Sequence, residues 1–409
     1  MCDFAYKRTE EKNMIQKIKN SYEHTIYASY LGYITQAIVN NFAPLLFLTF
    51  AATFGLSLAQ ITMITTVNFL TQLVVDLICA KVIDQVGYRK AIVFAHITAA
   101  GGLIGMTIFP ALTGNAYMGL MMAVVLYAIG GGIIEVLISP IVEACPTEKK
   151  EAAMSLLHSF YCWGHVGVVL IATVFFAMFG IENWRILAWI LAIVPLLNVL
   201  YFLIVPIFPI VDEHHKLSFG TLIKQKAFWL LIVMMVCAGA SEQAMSQWAS
   251  AFAESGLKVS KTVGDLLGPC AFAICMGLTR AYYGKNSDKV PLTKMMMGSA
   301  LACIVCYLVA VFSDNPIFGL LGCAFCGFTV GIFWPGTFSI AALKLPGGGT
   351  AMYALMALAG DLGCSSGPTV VGMVADAMGG DLKKGILAAI VFPIVMVICL
   401  CILKDKKNA

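Results

Sequence analysis

The stretch Ala80-Lys81-Val82-Ile83-Asp84-Gln85-Val86-Gly87-Tyr88-Arg89-Lys90 separates two apolar runs, residues 58–80 and 91–111. Each run is long enough to cross a bilayer, whose hydrocarbon core takes about 20 helical residues. In lipid a segment must satisfy its own backbone N–H and C=O groups, and that requirement selects helix. The stretch between them is a short charged turn, with Gly87 free to take a backbone conformation closed to other residues. Two spanning helices joined by a tight basic turn is the unit from which the rest of the chain is read.

The pattern continues in both directions. Further apolar runs fall at 25–52, 117–141, 152–179 and 185–207, and a second set at 227–253, 260–284, 294–312, 316–343, 350–377 and 384–403. The reading is an all-α membrane protein with twelve transmembrane helices. Composition agrees: 60% of the 409 residues are hydrophobic and only 12% charged, about half the roughly 25% of a soluble domain. A soluble globule of this size could not bury so much apolar surface. Cytosolic enzymes, nucleic-acid binders and disordered chains are thereby excluded. The 14 cysteines lie almost all inside apolar runs and read as small buried hydrophobes. The first 24 residues are charged and lack a cleavable-signal pattern, so the first run is expected to be a retained helix.

Orientation follows from the basic residues. With the N-terminus inside, 21 Lys and Arg fall on the inner side, Arg280 among them, and 5 fall outside. Both termini are expected in the cytoplasm of a plasma-membrane protein. The longest break, 208–226, divides the chain into bundles at 25–207 and 227–403, flanked by a cytoplasmic segment 1–24 and a tail 404–409. The halves echo each other: Gly132-Ile133-Ile134 returns as Gly331-Ile332-Phe333, Ala153-Met154 as Ala351-Met352, and Asp84 as Asp288. Their offsets of 199, 198 and 204 suggest a duplication. Internal repeats around a midplane site are a frequent architecture of secondary transporters.

Four acids in these runs read as intramembrane carboxylates: Asp76, Glu135, Glu242 and Asp361. An ionised carboxylate at the bilayer centre costs about 2.5–3.5 kcal/mol on insertion scales, so these groups are expected at a cavity or a partner. Burial disfavours their charged form, which suits them to carry protons. Glu135 follows Gly130-Gly131-Gly132 and precedes Ser139-Pro140, on a close-packed, breakable helix. Glu242 and Ser246 make a polar face, with Trp248 offering a ring to a ligand. Asp76, in a polar stripe with Asn68 and Gln72, reads as structural. Glu135, Glu242 and Asp361 are therefore the candidate ion-coupling residues. Gln36, Asn40, Asn41, His158, Trp248 and Trp334 are candidates for solute contact, a set suited to a hydroxylated solute. His165, one face along from His158, reads as packing or a secondary proton site.

Two motifs point elsewhere and are declined. Cys303-x2-Cys306 and Cys323-x2-Cys326 have zinc-ribbon spacing, but four thiolates in apolar helices are costly, and no metal is expected. Pro346-Gly347-Gly348-Gly349-Thr350 lacks the Lys-Ser/Thr and preceding strand of a phosphate loop and reads as a turn. With no nucleotide motif, an ion gradient must supply the energy.

The 80–90 turn resembles the cytoplasmic signature of the major facilitator superfamily: a small residue, an Asp four later, then Gly and two basic residues. Gly284-Lys285-Asn286-Ser287-Asp288-Lys289 is a degenerate copy. The resemblance implies a latch between the two bundles at Asp84, Gly87, Arg89 and Asp288. Within the superfamily, Gly131-Gly132-Ile133-Ile134-Glu135 with Ser139-Pro140 resembles the fourth-helix motif of fucose permease-like sugar:cation symporters, with Ser139 where Asn is usual. Glu242 followed six residues on by Trp248, Trp334-Pro335-Gly336-Thr337-Phe338-Ser339 and Gly367-Pro368-Thr369-Val370-Val371-Gly372 are similar to the branch's later helices. That branch implies alternating-access symport of a sugar-like solute with H+, or Na+, and coupling at the Glu135 position. Its first-helix acid is Asn40 here, which leaves Glu242 or Asp361 to replace it. A drug or metabolite exporter of the same superfamily is the alternative function; a membrane-embedded sensor or enzyme is the alternative of another class. The chain is read as a monomer with the lipid bilayer, a small solute and no nucleic acid as its partners.

Overall fold

The computed structural model describes residues 16, 18–147, 150–208, 222–286, 291–313, 315–345 and 349–405. Its long helical segments are α1 (Tyr22–Phe54), α2 (Leu58–Val86), α3 (Tyr88–Leu112), α4 (Ala116–Glu143), α5 (Lys150–Phe179) and α6 (Trp184–Ile204). They continue with α7 (Lys226–Gly256), α8 (Lys261–Tyr283), α9 (Leu292–Phe312), α10 (Pro316–Ala341), α11 (Gly349–Ala377) and α12 (Leu382–Leu403). No strand occurs among the described residues. Eleven of these helices are long and apolar enough to cross a membrane. The other, α11, has the length at 29 residues, but Gly360, Asp361, Gly363, Ser365, Ser366 and Gly367 dilute its centre.

Helix ends follow the local sequence. Ser57 caps α2 by accepting from the Gln60 N–H at 3.2 Å, while the Gln60 side chain accepts from the Ser57 N–H at 3.0 Å, a reciprocal capping box. The helix runs on to Val86, so Asp84 belongs to its last turn and not to a loop after residue 80. Nothing between Ala80 and Val86 breaks a helix; Gly87, at φ +88°, is the first residue that does. Arg89 then donates from Nη1 to the Phe202 carbonyl at 2.6 Å, tying the turn to the end of α6. The Asp84 side chain, Asp288, most of the 1–24 segment, most of the 208–226 break, the 346–348 turn and the end of the tail lie outside the described residues.

Pro44 interrupts α1. It has no N–H to give the Asn40 carbonyl, and the helix passes through a 3₁₀ turn at Ala43–Leu46. Pro269 does the same in α8, where Leu266–Cys270 is a π turn. Such breaks occur in membrane helices where protein groups re-satisfy the backbone.

Small residues set the helix spacing. A Cβ on Gly130 would strike the Ala95 carbonyl of α3, one on Gly131 would lie 2.9 Å from Gln36 Oε1 of α1, and one on Gly132 3.0 Å from Gln72 Cα of α2. The triple glycine thus lets α4 press on three neighbours at once. Gly331, its counterpart in α10, packs the same way on Thr279 of α8, which matches the internal echo. Helices α1–α6 pack mainly on one another, α3 against α4 and α6, and α1 against α5; in the rest, α7 lies along α11 and α9 along α10. The two sets meet where α2 runs beside α11, α5 beside α8 and α1 beside α7.

Candidate functional site

A cavity of about 120 Å³ lies where the two sets of helices meet. Tyr33, Gln36 and Asn40 of α1 and Phe69 of α2 line it, with Glu135 of α4 and His158 and Tyr161 of α5. Across from them are Glu242 and Gln243 of α7, Arg280 of α8, Trp334 of α10, and Asp361 and Cys364 of α11. Eight helices therefore contribute to one polar chamber.

A chain of hydrogen bonds runs through its wall. Gln36 Nε2 donates to Glu135 Oε2 and to Gln72 Oε1, both at 2.9 Å. Gln72 Nε2 donates to Asn40 Oδ1 at 2.8 Å and Asn68 Oδ1 at 2.9 Å, and Asn68 Nδ2 to Asn40 Oδ1 at 3.1 Å. The carbonyl of Asn40, freed by Pro44, accepts from Gln247 Nε2 of α7 at 3.1 Å. Gln247 also donates to Gln243 Oε1 at 3.1 Å, and Gln243 donates to Glu242 Oε1 at 3.3 Å. Two runs of bonded amides, one reaching Glu135 and the other Glu242, thus meet at Asn40, the first at its side chain and the second at its carbonyl. Gln36, Asn40, Gln72, Gln243 and Gln247 are all buried, and buried amides are stable only when so paired.

The acids differ in partner. Glu135 is held by a neutral amide alone. Glu242 Oε2 accepts from Arg280 Nη2 at 3.2 Å, an ion pair inside the chamber. Asp361 of α11 lines the chamber, while Asp76 of α2 lies outside its lining with Oδ1 buried and without a hydrogen-bond partner.

Arg280, one of the charges expected on the inner side, points into the chamber from α8, with its side chain 20% exposed. Without it the expected ratio of inner-side to outer-side charges is 20 to 5. The signal available in the sequence was an acid and a base, Glu242 and Arg280, each within an apolar run.

The other candidates divide. Gln36, Asn40, His158 and Trp334 line the chamber; Tyr33 adds an edge contact to His158 at 5.5 Å and a hydrogen bond to Ser139 at 3.2 Å. His158, in the first part of α5, is exposed. Asn41 is outside the lining: its Nδ2 returns to the Ala37 carbonyl at 2.9 Å. Trp248 is fully buried against Phe47 and donates from Nε1 to the Pro368 carbonyl at 3.0 Å. Six residues at 100° each carry Trp248 about 120° off the Glu242 face, so the two cannot address one ligand from α7. His165 is also buried. Cys303 and Cys326 are 3.9 Å apart, across the contact between α9 and α10.

Beyond the chamber, one end of the molecule is tied across the two sets. Successive helices reverse direction, so Phe54, Leu58, Lys261 and Ala377 share an end, opposite Val86 and Tyr283. At the shared end the Ala59 N–H donates to Asp376 Oδ1 at 3.2 Å, and Thr66 meets Thr369 at 2.5 Å. Lys261 donates to the Leu45 carbonyl at 2.7 Å and pairs with Asp265 Oδ2 at 3.1 Å.

The Major Facilitator Superfamily model matches residues 29–368. No curated protein sequence matches the chain. Among solved structures, a point variant of the nucleoside transporter NupG superposes with a TM-score of 0.75 at 14% identity, over 93% of this chain and 99% of that one. A bacterial homolog to the human lysosomal transporter Spinster, inward-facing and occupied, gives 0.76 at 15%, covering 94% and 97%. A point variant of the E. coli fucose:proton symporter FucP gives 0.64 at 17%, covering 94% and 99%.

Proposed function

The chain belongs to the major facilitator superfamily, a multi-pass membrane transporter and not an enzyme, and from that premise we propose that it carries a small polar, sugar-like solute together with protons. Transport is by alternating access between a bundle at 25–207 and a bundle at 227–403. Twelve crossings, α11 among them, leave both termini in the cytoplasm. A transmembrane segment with a glycine- and serine-rich centre is compatible with crossing, because α11 is packed along α7 and not turned wholly to lipid. With that topology the tied end at Lys261 is the outer end, and the exposed His158 lies toward the cytoplasmic mouth.

The observation that carries this reading is the chamber itself. Three acids from three helices, Glu135, Glu242 and Asp361, face a space also lined by Gln36, Asn40 and Tyr33. Groups of this kind persist in a membrane where something polar passes. Amides, hydroxyls and the face of Trp334 suit a hydroxylated solute. Glu135 lacks a cationic partner among the described residues, so a proton is its natural counter-charge. In proteoliposomes, Glu135→Gln is expected to retain solute exchange and lose the dependence of uptake on a pH gradient. Wild-type dependence in that variant refutes the coupling role.

A further inference from the structure

We propose that Arg280 is the docking point for an anionic group on the solute, a carboxylate on a small polyhydroxylated acid, and that Glu242 occupies that place while the chamber is empty. The inference rests on the transport reading and names its substrate class.

The argument starts from the guanidinium. It is always charged and presents five N–H donors in a planar fork that fits a carboxylate through two parallel bonds. In this chamber the fork is under-used. Nη2 donates to one oxygen of Glu242 at 3.2 Å, and Nη1 reaches only the Cys162 sulfur at 3.5 Å. Nε is buried and has no partner. Glu242 does not close a two-bond contact: its other oxygen accepts from Gln243 at 3.3 Å and not from Arg280. A carboxylate free to rotate in the chamber satisfies the fork better than the tethered one.

Charge balance gives the same answer. Arg280 is the one Lys or Arg lining the chamber among the described residues. A neutral solute that displaced Glu242 would leave this cation without a counter-charge, whereas an anion that displaced it supplies one. Entry of the acid with one proton neutralises Glu242 as the solute carboxylate replaces it on Arg280, so the chamber charge is the same before and after. One acid and one proton then move together with no net charge. The titratable groups facing the pair are Tyr33 of α1, His158, Tyr161 and Cys162 of α5, Glu135 of α4, and Asp361 and Cys364 of α11. The hydroxyls of the solute are left to Gln36, Asn40 and Tyr33.

The test compares gluconate and galacturonate with glucose and galactose, by thermal shift of the purified protein and by uptake into proteoliposomes at millimolar concentration. The acids are expected to stabilise the wild type and to enter with a proton gradient but independently of membrane potential. Neutral hexoses are expected to give no shift. Arg280→Lys should weaken acid binding about tenfold, because a point charge replaces a fork. Removing one member of a buried pair can prevent folding, so Arg280→Gln is measured beside the doubly neutral E242Q/R280Q; both should lose the acid-specific shift. Glu242→Gln should bind the acid with little dependence on pH. A hexose that stabilises as strongly as its acid, acid binding unchanged in E242Q/R280Q, or no shift with either acid overturns the inference. Proton-driven uptake of a hexose would do so while leaving the transport reading intact. Acid binding without gradient-driven uptake of any solute would instead sink the transport reading.

Discussion

Lys261 is expected to hold the tied end shut, and Lys261→Met to open it. Its ammonium spans the two halves, donating to the Leu45 carbonyl of α1 at 2.7 Å while bonded within its own half to Ser250 at 3.2 Å and Asp265 at 3.1–3.3 Å. The Lys261 side chain is 21% exposed and Asp265 1% exposed, so screening by solvent is modest. A hydrogen bond from a charged donor contributes about 1.5–3 kcal/mol. Taking the lower figure, because the lysine keeps some access to water, its loss shifts the balance between closed and open ends roughly tenfold. The assay is a distance distribution between spin labels at Thr53→Cys and Ser260→Cys, in a background with Cys2 and Cys401 changed to Ser. Lys261→Met should raise the long-distance population about tenfold over wild type where the closed form dominates. Asp265→Asn leaves the Leu45 bond in place and should open the end far less. An unchanged distribution in Lys261→Met, or equal opening in Asp265→Asn, refutes the assignment of closure to the bond that crosses between halves.

Trp248→Phe removes a buried donor from the Pro368 carbonyl and should destabilise the protein by about 1–3 kcal/mol. Since Trp248 is outside the chamber lining, thermal stability should fall while the Kd of a solute stays near wild type; a large Kd change would return Trp248 to the site.

The fold was readable because it rests on run length and on backbone satisfaction, both of which are written in one dimension. Gln36 and Asn40 were readable for a related reason: an i, i+4 spacing puts them on one face whatever surrounds them. Glu135 followed from the glycines before it, which the structure explains as three close approaches by α4. Arg280 was not readable as a chamber residue. Residues near the end of an apolar run can turn inward or reach for the interface, and only the packing of α8 against α5 decides between these. Trp248 illustrates the reverse error, in which residue chemistry was weighed without helical phase. The use of Gln247 was not readable, because its partner is a main-chain oxygen released by a proline in another helix.

That released oxygen gives Asn40 two separable jobs. Its side chain answers to Asn68 and Gln72 and borders the chamber, whereas its carbonyl receives α7 whatever side chain the position carries. Mutational drift at codon 40 can therefore retune what the pore recognises without loosening the joint between its moving parts. That joint depends on Pro44 and Gln247, and a change at either should alter the pace of the transport cycle before it alters the choice of cargo.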